Sequence, residues 1–140
     1  MTRSATGATG HDVLTARSAL SHPVIVSASA PLVAVWDVMQ RLHTELVVVC
    51  DQRGALGVVD RRDVWRAWTS QVAGRQATGG STMTSTPCVS VDTPLDDVCA
   101  ALLRARQETV LVVDDDGTYR GVVTSADAVA VLTRAGATSC

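Results

Sequence analysis

The chain repeats itself. Pro31-Leu32 returns as Pro94-Leu95, 63 residues on, and Val47-Val48-Val49 returns as Val110-Leu111-Val112 at the same spacing. His22-Pro23-Val24-Ile25-Val26 is echoed by Thr86-Pro87-Cys88-Val89-Ser90, and Asp51-Gln52-Arg53-Gly54 by Asp114-Asp115-Asp116-Gly117. After a one-residue insertion Gly57-Val58-Val59 matches Gly121-Val122-Val123, and Asp63 matches Asp127. Two copies therefore occupy 22–70 and 86–134. A duplicated chain must fold twice in the same way, and pieces this short bury little apolar surface alone. The copies are expected to close on one another about a pseudo-twofold axis, sharing a core.

Each copy reads as strand–helix–strand–strand–helix, an α/β (α+β) unit. A short strand (24–26; 88–91) leads to a helix opening at Pro31 or Pro94, positions that tolerate the missing N–H. Thr93 is the expected cap of the second copy's helix, with Asp96 and Asp97 suiting its positive end. Leu32, Val35, Trp36, Met39 and Leu42 fall at helical spacing, as do Leu95, Val98, Cys99 and Leu102, and are expected in the core. The valine runs flanking each Asp/Gly turn read as a hairpin. A last helix follows at about 62–70 and 126–134, the second ending near Gly136.

The expected organisation has five parts. Residues 1–10 are a disordered tail, and 11–70 the first repeat with a short helix (Asp12 to Leu20) lying across the pair. Residues 71–85, rich in Gly, Ser and Thr, are a linker, 86–134 the second repeat, and 135–140 a tail.

Composition excludes several functions. The formal net charge of −2 lacks the basic excess of a non-specific nucleic-acid binder. Lysine is absent, which removes a phosphate-loop lysine and any Schiff-base chemistry. With no Phe, the core must be built from small and branched side chains, chiefly Val and Ala. Neither a secretory signal nor a membrane-length apolar run is visible, so a cytoplasmic protein without membrane association is expected. The scattered Cys50, Cys88, Cys99 and Cys140 form no C-x-x-C pair and read as small hydrophobes, with Cys140 a chain-end thiol that nothing nearby activates.

The paired units resemble the cystathionine-β-synthase (CBS) domain family, whose tandem pairs are called Bateman modules. The resemblance rests on Pro at the first strand, Pro-Leu opening a helix, a valine-rich run ending in D-x-x-G and then G-V-V-x-x-x-D, twice. It implies two βαββα repeats, a dimer, and a non-catalytic regulatory role. It implies binding of AMP, ADP, ATP or S-adenosylmethionine in the cleft between copies, with no cofactor required. Gly121-Val122-Val123-Thr124-Ser125-Ala126-Asp127 closes the second copy, the better candidate site. Thr124 and Asp127, three apart at a helix start, face one way. A hydroxyl there can bond a phosphate or ribose oxygen, and a carboxylate can accept both ribose hydroxyls. By the resemblance the adenine would lie against Thr86, Cys88, Val89 and Val110, and Ser125 belongs to the same site. The same Thr–Asp spacing also serves simply to cap a helix.

The first copy departs from this pattern. Asp60 stands where the hydroxyl residue should be and would oppose a phosphate. Val24, Arg61, Arg62 and Asp63 form its weaker candidate site; the arginines could grip phosphate oxygens or be a solvated helix face.

Other motifs fall short. His43-Thr44-Glu45 with Pro87-Cys88 lacks the second cysteine of a zinc deaminase, its position holding Val91. Asp114–Gly117 would place Val112 and Val123 at the end ligands of a calcium loop. No metal site is expected, and no nucleophile elbow or activated nucleophile supports an enzyme. Trp65 and Trp68 share a helix face beside Arg62 and Arg66 and read as a dimer contact or as packing against the linker. The main reading is an adenosyl sensor, homodimeric and regulating an unknown protein partner. The competing reading is a ligand-free interaction scaffold of the same fold.

Overall fold

The computed structural model describes residues 14–70 and 77–139, with side chains through Gly136. The expected tail at 1–10, the start of the expected Asp12–Leu20 helix, residues 71–76 of the expected linker and Cys140 lie outside the described residues. The chain divides into two compact units: His22–Thr86, and the N-terminal segment through Ser21 together with Pro87 onward.

The first-copy unit holds β1 (Ile25–Ser27), α1 (Leu32–Leu42), β2 (Leu46–Asp51), β3 (Gly54–Asp60) and α2 (Arg61–Thr69), then α3 (Gly79–Thr82) and β4 (Thr84–Ser85). Its sheet runs β1-β2-β3-β4, with β1 parallel to β2 and the other pairs antiparallel. The second-copy unit holds β5 (Cys88–Ser90), α4 (Leu95–Ala105), β6 (Thr109–Val113), β7 (Tyr119–Thr124) and α5 (Ser125–Ser139), with sheet order β5-β6-β7 and the same senses. Both are the expected βαββα. The central strands are buried on both faces, which is why Val47–Val49 and Val110–Val112 read as unbroken apolar runs and not as alternation.

Leu32, Val35 and Met39 of α1 pack on β2 and β3, and Leu95, Val98 and Leu102 of α4 on β6 and β7. Leu42 departs from the expected core: it ends α1 and is exposed, because His43 turns the backbone left-handed at φ 51°. Arg106 does the same after α4 at φ 54°. Each such turn lets the chain return a carbonyl to the next N–H, as in Thr44 N–H to Met39 O at 3.1 Å.

The boundaries of the repeats differ from the sequence expectation in an instructive way. Leu14–Ser21, expected with the first repeat, packs in the second-copy unit as a short 3-10 helix (Ala16–Ala19) followed by a bridge from Ser21 to Val122. Residues 77–85, expected to be linker, pack in the first-copy unit as α3 and β4, the latter pairing with β3. The two segments are themselves copies, again 63 apart. Thr15 N–H donates to Ser18 Oγ at 3.3 Å, and Thr78 N–H to Ser81 Oγ at 2.8 Å. Each sequence copy thus lends its leading segment to the other's unit.

This exchange explains two motifs. Pro31 and Pro94 sit one residue before their helices as caps and offer no side-chain acceptor. The lent segment supplies one instead: Ala77 O accepts the Leu32 N–H at 3.0 Å, and Leu14 O the Leu95 N–H at 2.7 Å. Thr93, expected as the cap, instead accepts the Ser90 N–H at 3.1 Å and braces the turn before α4. The repeated Gly57 and Gly121 lie against the lent segments, β4 in the first-copy unit and the bridge at Ser21 in the second. A Cβ on Gly57 would sit 2.4 Å from Thr84 O, and one on Gly121 2.5 Å from Ser21 O. At its other end, α5 runs through Gly136 to Ser139, so the expected tail at 135–139 is helical. The flanking alanines favour helix enough to carry one glycine, a penalty of about 1 kcal/mol.

Candidate functional site

In the second-copy unit the parallel β5–β6 pairing and antiparallel β6–β7 pairing place three chain ends on one rim. Cys88 lies opposite Leu111 and Thr109 opposite Thr124, so the starts of β5 and β6 and the end of β7 come together. Cys88 is exposed there, and Val89, Thr124, Ser125 and Asp127 are half-buried. Two N–H groups in the first turn of α5 are already bonded. Ser125 N–H donates to Glu108 O at 2.8 Å, and Asp127 N–H to Thr124 Oγ1 at 3.1 Å. Thr124 is therefore a helix cap. Among the described residues Asp127's carboxylate accepts no hydrogen bond, and it remains open for one.

Val110 is fully buried in the core, so only its backbone is available at the rim. Thr86 falls in the other unit, nearly buried, its hydroxyl donating to Thr84 O at 2.9 Å. Burial holds the Cys88 thiol above its ordinary value, and Cys50 likewise, with Asp51 adding repulsion; neither is an activated nucleophile. Sequence reasoning passed over Thr109, buried at the same rim, which only the pairing register reveals.

The first copy is arranged otherwise. Asp60 and Asp63 cap α2 reciprocally: Asp63 N–H donates to Asp60 Oδ1 at 2.8 Å, and Asp60 N–H to Asp63 Oδ2 at 3.0 Å. Burial, and then the facing Asp60 charge, push the Asp63 carboxyl above the usual range, partly offset by the bond from the Asp60 backbone. Arg61 turns inward: its guanidinium lies 5.4 Å over the Trp36 ring, and Nε sits 3.3 Å from Glu45 Oε1. Arg62 lies 4.0 Å from Asp60 Oδ2 and points outward. Val24 offers its carbonyl to Val48 N–H at 2.9 Å, the role Pro87 plays for Leu111. The structural counterpart of Cys88 is therefore Ile25, one position from where the Pro23/Pro87 echo puts it.

The Trp36 ring, expected in the core, lies at its edge. With Val64, Trp65 and Trp68 it lines a groove of about 240 Å³. The acidic run Asp114–Gly117 is a hairpin turn held by Gly117 N–H to Asp114 O and by Arg120 to Asp114. No three potential metal ligands come together among the described residues, and no helix there is long and apolar enough to cross a membrane.

A duplicated βαββα chain of this topology defines a class, the tandem CBS pair. The CBS domain profile matches residues 13–65 and 80–134, and the chain belongs to that family. Its second matched segment begins at 80, inside the stretch expected to be linker. No curated protein matches the sequence. Solved structures that share the fold include the following three. The CBS domain protein PAE2072 from Pyrobaculum aerophilum, complexed with AMP, is 21% identical with a TM-score of 0.70, covering 81% of this chain and 89% of that one. CBSX2 in complex with AMP is 22% identical at 0.73, covering 87% and 98%. The CBS domain pair of MJ0100, with 5′-methylthioadenosine and S-adenosylmethionine, is 19% identical at 0.73, covering 92% and 100%.

Proposed function

We propose that this protein is a regulatory sensor, without catalysis of its own, that binds an adenosine-containing small molecule such as AMP, ADP, ATP or S-adenosylmethionine through its second copy. The observation that carries this is the open Asp127 carboxylate, held beside Thr124 at the start of α5 on a rim with an exposed strand end. A fixed carboxylate is a bidentate acceptor for the cis hydroxyls of a ribose. The α5 terminus adds partial positive charge for an anionic group near the Thr124 hydroxyl. That relatives of the same fold hold AMP, 5′-methylthioadenosine or S-adenosylmethionine supports the ligand class. The working form is a homodimer in the cytoplasm that passes the bound state to a separate protein partner.

Thermal unfolding with AMP, ADP, ATP and S-adenosylmethionine tests the reading. A ligand at a hundredfold excess over its Kd stabilises the folded state by about 2.7 kcal/mol, a shift of several degrees. At least one of the four is expected to raise the midpoint. No shift with any of them at millimolar concentration would contradict the sensor reading. That outcome would favour a ligand-free scaffold, a reading to which the half-exposed Trp65 and Trp68 lend weight.

A further inference from the structure

The chain holds four aromatic residues, and three of them, Trp36, Trp65 and Trp68, meet in one place. They wall the groove of about 240 Å³ between α1 and α2, with the buried Val64 also lining it. Trp65 is 67% and Trp68 51% exposed, and Val33, one turn before Trp36 on α1, extends the apolar strip at 59%. The fold does not require this surface. The second copy builds the same βαββα unit with Cys99, Val129 and Leu132 at the matching positions. An apolar strip that the architecture does without, left in contact with water, marks an interaction site.

Size selects one kind of occupant. Pockets that enclose a whole small molecule run to about 300–1,000 Å³, so this one seats one or two aliphatic side chains whose backbone lies outside. Charge selects further. Three indoles also suit a methylated ammonium, held by the ring faces. Here, however, the Arg61 guanidinium already lies 5.4 Å over the Trp36 ring. Arg66, exposed and next to Trp65, forms no ion pair among the described residues, although it feels the Asp63 charge at longer range. The acids of α1 and of the α2 start are engaged: Asp37 by Arg41, and Asp60 and Asp63 by each other's N–H. Glu45 stands beside Arg61, and Arg62 beside Asp60. What is left over at the groove is positive charge, which repels a cationic guest and draws a carboxylate.

Resting on the reading above that a separate protein receives the bound state, we infer that this protein docks in the α1–α2 groove through an acidic amphipathic helix. Its aliphatic side chains, four residues apart, enter between the indoles, and carboxylates on the same face meet Arg66. Seating an apolar helix stripe in a hydrophobic groove is a recurring mode of recognition, and tryptophan and arginine are among the residues that most often carry the energy of an interface. The groove lies wholly within the first-copy unit, so docking there asks nothing of the second.

The groove itself supplies the readout, because every tryptophan of the chain lines it. Helical peptides selected from a random displayed library on the full-length protein should pair Leu or Ile four residues apart with Asp or Glu. Synthesised, they should shift the tryptophan emission saturably to the blue. Trp68→Ala and Arg66→Glu, both at exposed positions and checked by circular dichroism, should each weaken binding at least about tenfold. A peptide with Lys in place of Glu should bind Arg66→Glu more tightly than the wild type, a gain that damage to the fold does not produce. Light scattering should find Trp68→Ala in the same oligomeric state as the wild type. Selected peptides rich in Lys, acidic peptides indifferent to both variants, or no binder at all would overturn the inference. A trimethyllysine peptide that binds more tightly than the acidic ones would also overturn it, giving the groove to a cation. A wild-type dimer that Trp68→Ala dissociates would assign the groove to a second copy and likewise overturn it. Peptide binding that persists in a protein with no adenosyl-induced thermal shift would support the groove and contradict the sensor alone.

Discussion

At the start of α2, Asp60 and Asp63 hold each other in a closed cap; at the start of α5 the same two positions carry Thr124 and Asp127, bonded one way only. Both arrangements begin a helix, so stability alone does not distinguish them. They differ in what they leave over. In the first copy the closing carboxylate is engaged, faces a second negative charge, and stands beside an arginine drawn onto Trp36 and Glu45. In the second, the closing carboxylate is open and its neighbour is a neutral hydroxyl. On the proposed function, that one capping residue separates a helix start that is only capped from one that also reads a ligand, while the architecture is kept twice.

The largest effect should come from what the copies share. Gly121→Ala and Gly57→Ala each drive a Cβ into a carbonyl of the lent segment, and overpacking of this kind costs about 1–3 kcal/mol. Gly121 also holds φ +152°, which an alanine adopts only with strain, so its variant should be the less stable in urea unfolding. Equal and negligible losses would mean that the segments are not exchanged as described.

Next comes the residue in which the copies differ. Thr124→Asp rebuilds the first copy's cap in the second. Asp caps at least as well as Thr, so the unfolding free energy without ligand should stay within about 0.5 kcal/mol of wild type. The ligand-induced rise should disappear, because a second carboxylate repels an anionic ligand and competes for the closing residue. A variant that keeps its ligand response would break the comparison.

The smallest effect concerns pH. With its carboxyl raised, Asp63 adds most to stability below the unfolded-state pKa, and that contribution is lost as pH rises through the folded one. Asp60→Thr removes the facing charge and should bring the Asp63 titration, followed by carboxyl NMR, back toward the ordinary range. The accompanying gain at neutral pH is a few tenths of a kcal/mol, since Asp63 is half exposed and screened by solvent. A titration unmoved by the substitution would assign the shift to burial alone.

Much of this was legible from spacing. The repeat of Pro-Leu, valine run, Asp/Gly turn and G-V-V was enough to place the βαββα elements, because each marks a boundary set by local physics. The exchange of leading segments was not. Thr15-x-x-Ser18 and Thr78-x-x-Ser81 sit among residues with no apolar period, and which unit a segment joins depends on contacts far along the chain. The Pro23/Pro87 echo misled by one residue, since strand register follows the buried valines and not the prolines. At the site, Thr124 and Asp127 were readable as a motif, but the difference between an open and an engaged carboxylate depends on hydrogen bonds that spacing does not encode.

The most direct trial of the account is calorimetric titration of the wild type, Asp127→Ala and Asp63→Ala with whichever of AMP and S-adenosylmethionine gives the larger thermal shift. A carboxylate that accepts ribose hydroxyls contributes about 1.5–3 kcal/mol, so Asp127→Ala should weaken binding roughly tenfold to a hundredfold. Asp63→Ala should leave affinity within about threefold of wild type, an interval under 1 kcal/mol. Binding that survives Asp127→Ala and is lost with Asp63→Ala would place the ligand in the other copy and contradict the account.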